Sequence, residues 1–439
     1  MIATLLTATG WLLAMLSIVA VYVGFFVIGH TGSSRGRWIE LGVLLGFVLL
    51  GLIVVQFLTN GRFWHLGKPF GTDTVLWFHS QVGILLLMVL LAHPAILLMA
   101  KPDYMEYFDP RANAPRAIFL ILASVAIVFL VVLSLWRAAF GLSYELWRIS
   151  HAVMAAGVVF IGCVHAWQVG HYVDGALKRT FLVLTGLTAI GLLLWVRIWR
   201  PWVMRSRPYQ VTDTRDERGQ TTSLVLQPEG HCGMNFRASQ SAWFTFGDTP
   251  FSLQQHPFSF SSSDRACPER MEISIKELGD FTALLQKVKV GTKVFIEGPF
   301  GRFTLDDDTP GAVFIMGGIG VTPAISILRS LRDRSDHRPM LLIYGNSNWN
   351  ETAFRTELDE LQRTINLQVV HVLEEPPSGW EGETGFIDAD VLKRYIAEHH
   401  RNCSFYLCGP EPLMDAVEPA LKEIGIPQWL IRAERFSIV

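Results

Sequence analysis

The sequence predicts a bundle of six transmembrane α-helices followed by a soluble portion made of a small antiparallel β-barrel and a parallel α/β domain. Charge is the first observation behind this: Lys, Arg, Asp and Glu number 20 in residues 1–200 and 56 in residues 201–439, about 10% against about 23%. The second is that the long apolar runs all lie in the first part. The third is a change of rhythm, from Pro208 to short alternating runs and from Pro310 to strand followed by helix. By sign, 13 basic and 7 acidic residues precede position 201 and 24 and 32 follow it, so the net −2 of the chain conceals +6 and −8. A wholly soluble enzyme, a disordered chain and a basic nucleic-acid binder are excluded.

Six stretches are long and apolar enough to cross a bilayer as helices: Leu5 to Ile28, Ile39 to Leu58, Thr74 to Met99, Ala117 to Trp136, Tyr144 to Trp167 and Thr180 to Trp199. The first has no basic n-region and no small-residue cleavage site, so it reads as a retained span. An even count puts both termini on one side. Loop arginines and lysines divide eight to seven in favour of cytoplasmic termini, a weak vote. Nucleotide-binding features in the second part decide more strongly, because such cofactors are cytoplasmic. Tryptophans 64, 77, 136, 147, 167, 195, 199 and 202 fall near span ends, as an interfacial aromatic belt requires.

Beyond Arg200-Pro201-Trp202, strands are expected at Tyr209 to Val211, Ser223 to Leu226, Ala242 to Phe246, Met271 to Ile275 and Lys293 to Glu297, which together suggest a small barrel. After Pro310, Ala312 to Met316 precedes a helix near Pro323 to Arg334, Met340 to Tyr344 precedes Ala353 to Thr364, and Ser404 to Leu407 precedes Pro412 to Ile424. That alternation indicates a parallel sheet. The expected domains are 1–204, 205–309 and 310–439.

Four histidines carry the first chemical signal. His79 and His93 lie 14 residues apart on the third span, and His151 and His165 lie 14 apart on the fifth. Fourteen residues fall about 40° short of four turns and rise roughly 21 Å, so each helix shows two imidazoles on nearly one face, one per leaflet. Odd-numbered spans run in the same direction, which stacks two bis-imidazole sites across the membrane. A single intramembrane histidine usually hydrogen-bonds between helices. Four at matching intervals favour axial ligation of two haems, because a metal bond offsets the cost of burying imidazole in lipid. The five cysteines include no C-x-x-C-H attachment site, so the haems would be non-covalent b-type.

Two further signals lie in the second part. His256-Pro257-Phe258-Ser259 offers a planar contact and hydroxyls to an isoalloxazine edge. Lys276 to Thr282 places a cation, Gly279, Phe281 and a helix start together, where backbone amides can hold a pyrophosphate. Gly317-Gly318-Ile319-Gly320-Val321-Thr322-Pro323 follows an apolar strand and opens a helix, the context in which glycines let backbone approach a diphosphate. Cys408-Gly409-Pro410 stands at another strand's carboxyl end. Contact with nicotinamide and burial as a small hydrophobe are nearly equal alternatives for Cys408.

These residues together resemble the ferric reductase and NADPH oxidase superfamily over essentially the whole chain. The resemblance implies a ferric reductase-like haem domain, a ferredoxin-reductase-like FAD barrel and a nicotinamide domain. It assigns the inner haem to His79 and His151 and the outer to His93 and His165. His256 to Ser259 look like the family's first flavin motif, Lys276 to Thr282 like its second, and Gly317 to Pro323 and Cys408 to Pro410 like its nucleotide motifs. Phe436 is the candidate for the carboxy-terminal aromatic that stacks on the flavin in related reductases. Three departures stand out. No calcium-binding EF-hand loop occurs, and the outer half of the second span offers Glu40 but no arginine deeper than Arg37, which argues against oxygen. Tyr344-Gly345-Asn346-Ser347-Asn348-Trp349 has no arginine for the 2′-phosphate of NADPH.

The expected function is transfer of electrons from cytosolic NADPH or NADH through FAD and two haems b to an acceptor outside the plasma membrane. By analogy with single-chain members the acceptor is oxygen, giving superoxide; a ferric chelate is the alternative. A different class, a haem-binding membrane module whose soluble domain senses nucleotide, fits the same motifs. The lipid bilayer is the expected partner, with no nucleic acid and no obligate protein partner.

Overall fold

A computed structural model describes residues 2–30, 32–59, 72–137 and 139–435, in two compact units, Met1–Arg200 and Pro201–Val439. Among the described residues the first contains six membrane-length helices: α1 (Ile2–Val27), α2 (Arg37–Leu58), α3 (Thr72–Ala100), α4 (Pro110–Leu135), α5 (Tyr144–Val169) and α6 (Ala176–Leu194). Half of the apolar window of α2 is buried, against 6 to 17% in the others, so α2 is the most enclosed helix and the rest present apolar faces outward, as lipid requires. Trp38, Trp77, Trp136, Trp167, Trp195, Trp199 and Trp202 are exposed, and Trp64 lies outside the described residues.

Local chemistry explains the helix ends. Asp109 caps α4 by accepting from the Arg111 amide at 2.8 Å, but Asn113 leaves helical geometry two residues before Pro115 and caps a second start, accepting from the Arg116 amide at 3.1 Å. The membrane helix proper thus begins near Ala117, as the apolar pattern predicts. Ser143 caps α5 through the Leu146 amide, and Gly170 ends it in the left-handed conformation. Helix α6 continues through a five-residue π-helical segment, Trp195–Trp199, into Arg200–Met204.

The second unit holds two sheets. The antiparallel one has the order β4-β3-β6-β1-β2-β5, from β1 (Tyr209–Asp216), β2 (Thr221–Pro228), β3 (Ser241–Phe246), β4 (Gln255–Ser259), β5 (Met271–Lys276) and β6 (Lys293–Phe300). A bridge from Phe260 to Ile273 brings its two edges together as a barrel, around a core including Leu224, Phe244, Phe260 and Ile273. The sequence pattern misses β4, because Pro257 interrupts it; a proline is tolerated there because β4 is an edge strand. Helix α7 (Asp280–Leu285) follows β5.

The parallel sheet has the order β10-β9-β8-β7-β11-β12, from β7 (Ala312–Gly317), β8 (Met340–Asn348), β9 (Leu367–Glu375), β10 (Glu383–Thr384), β11 (Ser404–Gly409) and β12 (Ile431–Arg435). Separate apolar clusters cover its two faces. Helices α8 (Thr322–Asp333), α9 (Arg355–Thr364), α10 (Ala389–Tyr395) and α11 (Glu411–Glu423) connect its strands. Strands leave β7 on one side to β8 and on the other to β11, so the order reverses at β7. Ligands of open α/β sheets bind at the strand carboxyl ends at such a switch.

Candidate functional site

The first unit brings the four span histidines together in two pairs. The rings of His79 and His151 have centroids 6.2 Å apart, and those of His93 and His165 6.4 Å apart. One metal ion held on opposite sides by two imidazoles, each nitrogen about 2 Å away, separates ring centroids by roughly 6 Å. Each pair therefore has the spacing of a single axial metal. Among the described residues no cluster of three or more His, Cys, Asp or Glu side chains suits a metal ion.

Neighbouring groups fix three of the four imidazoles. His93 Nδ1 donates to the Gly42 carbonyl at 2.7 Å. The Thr59 hydroxyl donates to the Val55 carbonyl and is left to accept from His79 Nδ1 at 3.4 Å; the Ser134 hydroxyl, donating to Leu130, accepts from His151 Nδ1 at 3.2 Å. With the proton on Nδ1, the Nε2 lone pair is the one available to a metal. His165 Nδ1 is buried without a hydrogen-bond partner among the described residues. Space is provided as well: a Cβ on Gly46 of α2 would come within 3.0 Å of the His93 ring.

A cavity of about 190 Å³ is lined by His93 and His165, by largely apolar side chains and by Arg35, His171 and Tyr172. The second span still offers no arginine deeper than Arg37, but Arg35, just before it, reaches the wall of this cavity. Arg35 lies 3.8 Å from Glu40 through Nε, and keeps a buried Nη2 with no hydrogen-bond partner among the described residues.

In the barrel, β4 and α7 bring the two flavin motifs together. The His256 ring stacks on Phe281 at 3.8 Å and 23°. Pro257 and Phe258 pair with Trp243 and Ala242 of β3, and Ser259 with Ser241. The Ser259 hydroxyl is buried with no hydrogen-bond partner among the described residues, a condition that a ligand acceptor would relieve. The donors expected at a pyrophosphate are otherwise engaged. Lys276 Nζ lies 2.8 Å from Glu351, while the Leu278 and Gly279 amides donate to the Thr282 hydroxyl at 2.8 and 3.0 Å. Phe436 lies outside the described residues.

At the switch point, the turn Gly317–Val321 between β7 and α8 lies against the end of β11. A Cβ on Gly320 would fall 2.5 Å from the Cys408 carbonyl oxygen, and one on Gly317 2.9 Å from Pro410. Gly409 meets Gly317 backbone in the same way, so the glycines of both nucleotide motifs permit one close contact. Gly318 has φ +51°, Thr322 donates to the Ile319 carbonyl at 2.8 Å, and Pro323 opens α8. Cys408 is fully buried in the core, where burial pushes its thiol well above the ordinary range; its side chain is packed as a small hydrophobe. Beyond β8, Arg355 lies 4.9 Å over the Trp349 ring and donates to the Trp349 carbonyl at 3.0 Å, a cation that the strip 344–349 does not itself contain. Asn346 Nδ2 is buried there with no partner among the described residues.

Comparison with known proteins gives three family matches in chain order. Residues 45–162 match the ferric reductase like transmembrane component, 221–304 an FAD-binding domain and 314–419 an oxidoreductase NAD-binding domain. Among curated relatives, NADH-cytochrome b5 reductase 1 of Cryptococcus neoformans is 31% identical over 162 residues, 34% of this chain and 55% of that protein. NADH-cytochrome b5 reductase 2 of Homo sapiens is 31% identical over 179 residues, 35% of this chain and 64% of that one. The chain thus spans between half and two thirds of the length of these relatives. The FAD/NAD-binding domain of a flavohaem-like nitric oxide dioxygenase from Vibrio cholerae aligns with TM-score 0.46 and 23% identity, covering 52% of this chain and 98% of that one.

Proposed function

We propose that this chain, which has the ferric reductase and NADPH oxidase-like architecture of a membrane component joined to FAD-binding and NAD-binding domains, carries electrons from cytosolic NAD(P)H across a membrane. The path runs through FAD and two haems b to an extracytoplasmic acceptor. The observation that carries this is the double histidine pairing at 6.2 and 6.4 Å, a spacing suited to one axial iron per pair. The domains are 1–204, 205–309 and 310–439, and both termini face the cytoplasm of a plasma membrane, where pyridine nucleotide is available.

Bound in these sites, FAD would accept a hydride and release single electrons, and haem would pass them through a bilayer that offers no other conductor. The chain itself binds, orients and excludes water. His79 and His151 would hold the inner iron and His93 and His165 the outer, with Thr59, Ser134 and Gly42 orienting three of the rings. The unpartnered Nη2 of Arg35 offers charge to an anionic group in the outer cavity. On the barrel, His256, Pro257, Phe258, Ser259, Gly279, Phe281 and Thr282 line the flavin site. Lys276 would reach a pyrophosphate by leaving Glu351, and Phe436, outside the described residues, is the candidate aromatic for the flavin. Gly317, Gly318, Gly320, Thr322, Pro323, Gly409 and Pro410 admit the nicotinamide dinucleotide. Cys408 supports that crevice through its backbone.

Oxygen, giving superoxide, is the acceptor we favour, because Arg35 stands in the wall of the outer cavity. A ferric chelate is the second reading, favoured by the family match of the membrane part. Cytochrome c reduction with and without superoxide dismutase, beside ferric-chelate reduction without oxygen, separates them. Dismutase-sensitive activity is expected; dismutase-insensitive activity with rapid anaerobic chelate reduction would replace oxygen by iron.

A further inference from the structure

We propose that His30 and His171 form a binding site for a divalent late transition-metal ion of the class that prefers imidazole, separate from whatever the two deeper histidine pairs hold. His30 follows α1, and His171 follows the left-handed Gly170 that ends α5. Their ring centroids lie 4.5 Å apart at 61°. The Nε2 atoms of both are buried and neither has a hydrogen-bond partner among the described residues. Two orphaned nitrogens on adjoining rings are costly unless a ligand satisfies them.

The surroundings prepare these nitrogens for a metal. His30 Nδ1 donates to Asp174 at 3.1 Å, which leaves its lone pair on Nε2 and matches the carboxylate–imidazole support that metal ligands use. Asp174 is in turn 3.4 Å from Lys178, whose ammonium donates to the Phe26 carbonyl at 2.8 Å. Tyr172 packs against both rings, at 4.2 and 4.9 Å, and its hydroxyl donates to Glu40. Room for an ion comes from Gly32: a Cβ there would fall against His30 Nε2 and lie 3.4 Å from His171 Cε1. The carboxylates Glu40 and Asp174 balance Arg35 and Lys178, so the local charge does not repel a cation. Two imidazoles leave coordination positions for water, and such nitrogen donors suit zinc, copper and nickel.

Zinc is the suitable probe because it has no redox chemistry to mix with electron transfer. Full-length protein in detergent is equilibrated with Zn2+ against a competing chelator, and bound zinc per chain is counted by elemental analysis. One zinc is expected to disappear in His30→Ala and in His171→Ala, and to bind about 10- to 100-fold more weakly in Asp174→Asn. Gly32→Ala keeps both imidazoles and fills the space beside Nε2, so it too is expected to lose the ion. Wild-type protein that binds no zinc, or a zinc count unchanged in Gly32→Ala, overturns the proposal without depending on how the histidine variants fold.

Discussion

Two glycines of α2 serve one imidazole: Gly42 gives its carbonyl to His93 Nδ1, and Gly46 leaves the room that the ring occupies. His93→Leu removes the donor without adding much bulk, and is expected to lower haem from two per chain to one while NAD(P)H still reduces FAD. Haem retained at two per chain would count against His93 as a ligand. The 14-residue intervals make these histidines legible in the sequence, because a helix turns a sequence interval into a place in space. Ser259 is legible only as part of a motif; its orphaned hydroxyl emerges from folding. Ser259→Ala is expected to weaken FAD binding by about 1 kcal/mol, roughly fivefold, read by flavin titration. Arg35 and Arg355 have no such signal, since one precedes a helix and the other opens one, and neither lies on a repeating face.

At the scale of elements, what can be read is whatever repeats. The six spans, five barrel strands and three strand–helix pairs all have apolar periodicity. Strands β4, β9, β10 and β12 escape it: β4 contains Pro257, β9 mixes His371 and acidic residues into its apolar run, β10 is only two residues long, and β12 is a half-buried edge with three charges in five residues. Helix α9 begins at Arg355, later than the sequence suggests, because Phe354 takes a left-handed conformation. Gly320→Ala should force β7 and β11 apart at the switch point, raising the KM for NAD(P)H at least tenfold with flavin content retained; an unchanged KM would place the nucleotide elsewhere. Arg329 of α8 joins the barrel to the sheet domain, meeting Glu272 at 2.5 Å and Glu357 through two bonds of 2.7 Å. Arg329→Met removes the nearest of three guanidinium partners of the buried Glu272, which keeps Arg215 at 3.3 Å and Arg270 at 3.6 Å, and is expected to cost about 1.5–3 kcal/mol, seen as a lowered unfolding midpoint of the second unit.

For the molecule as a whole, the step in charge density near residue 200 coincides with the division into two compact units. One unit presents apolar helices and paired imidazoles; the other has the folds that hold a flavin and a nucleotide. Composition marks that boundary because a bilayer and water select different surfaces. It does not name the acceptor. The central claim is that both units work as one electron path, and anaerobic reduction of the purified full-length protein tests it most directly. NADPH or NADH added with FAD should develop the spectrum of two reduced low-spin haems b per chain, equal in extent to that produced by dithionite. Haem that dithionite reduces and the pyridine nucleotides do not, or the absence of haem b bands altogether, would contradict it.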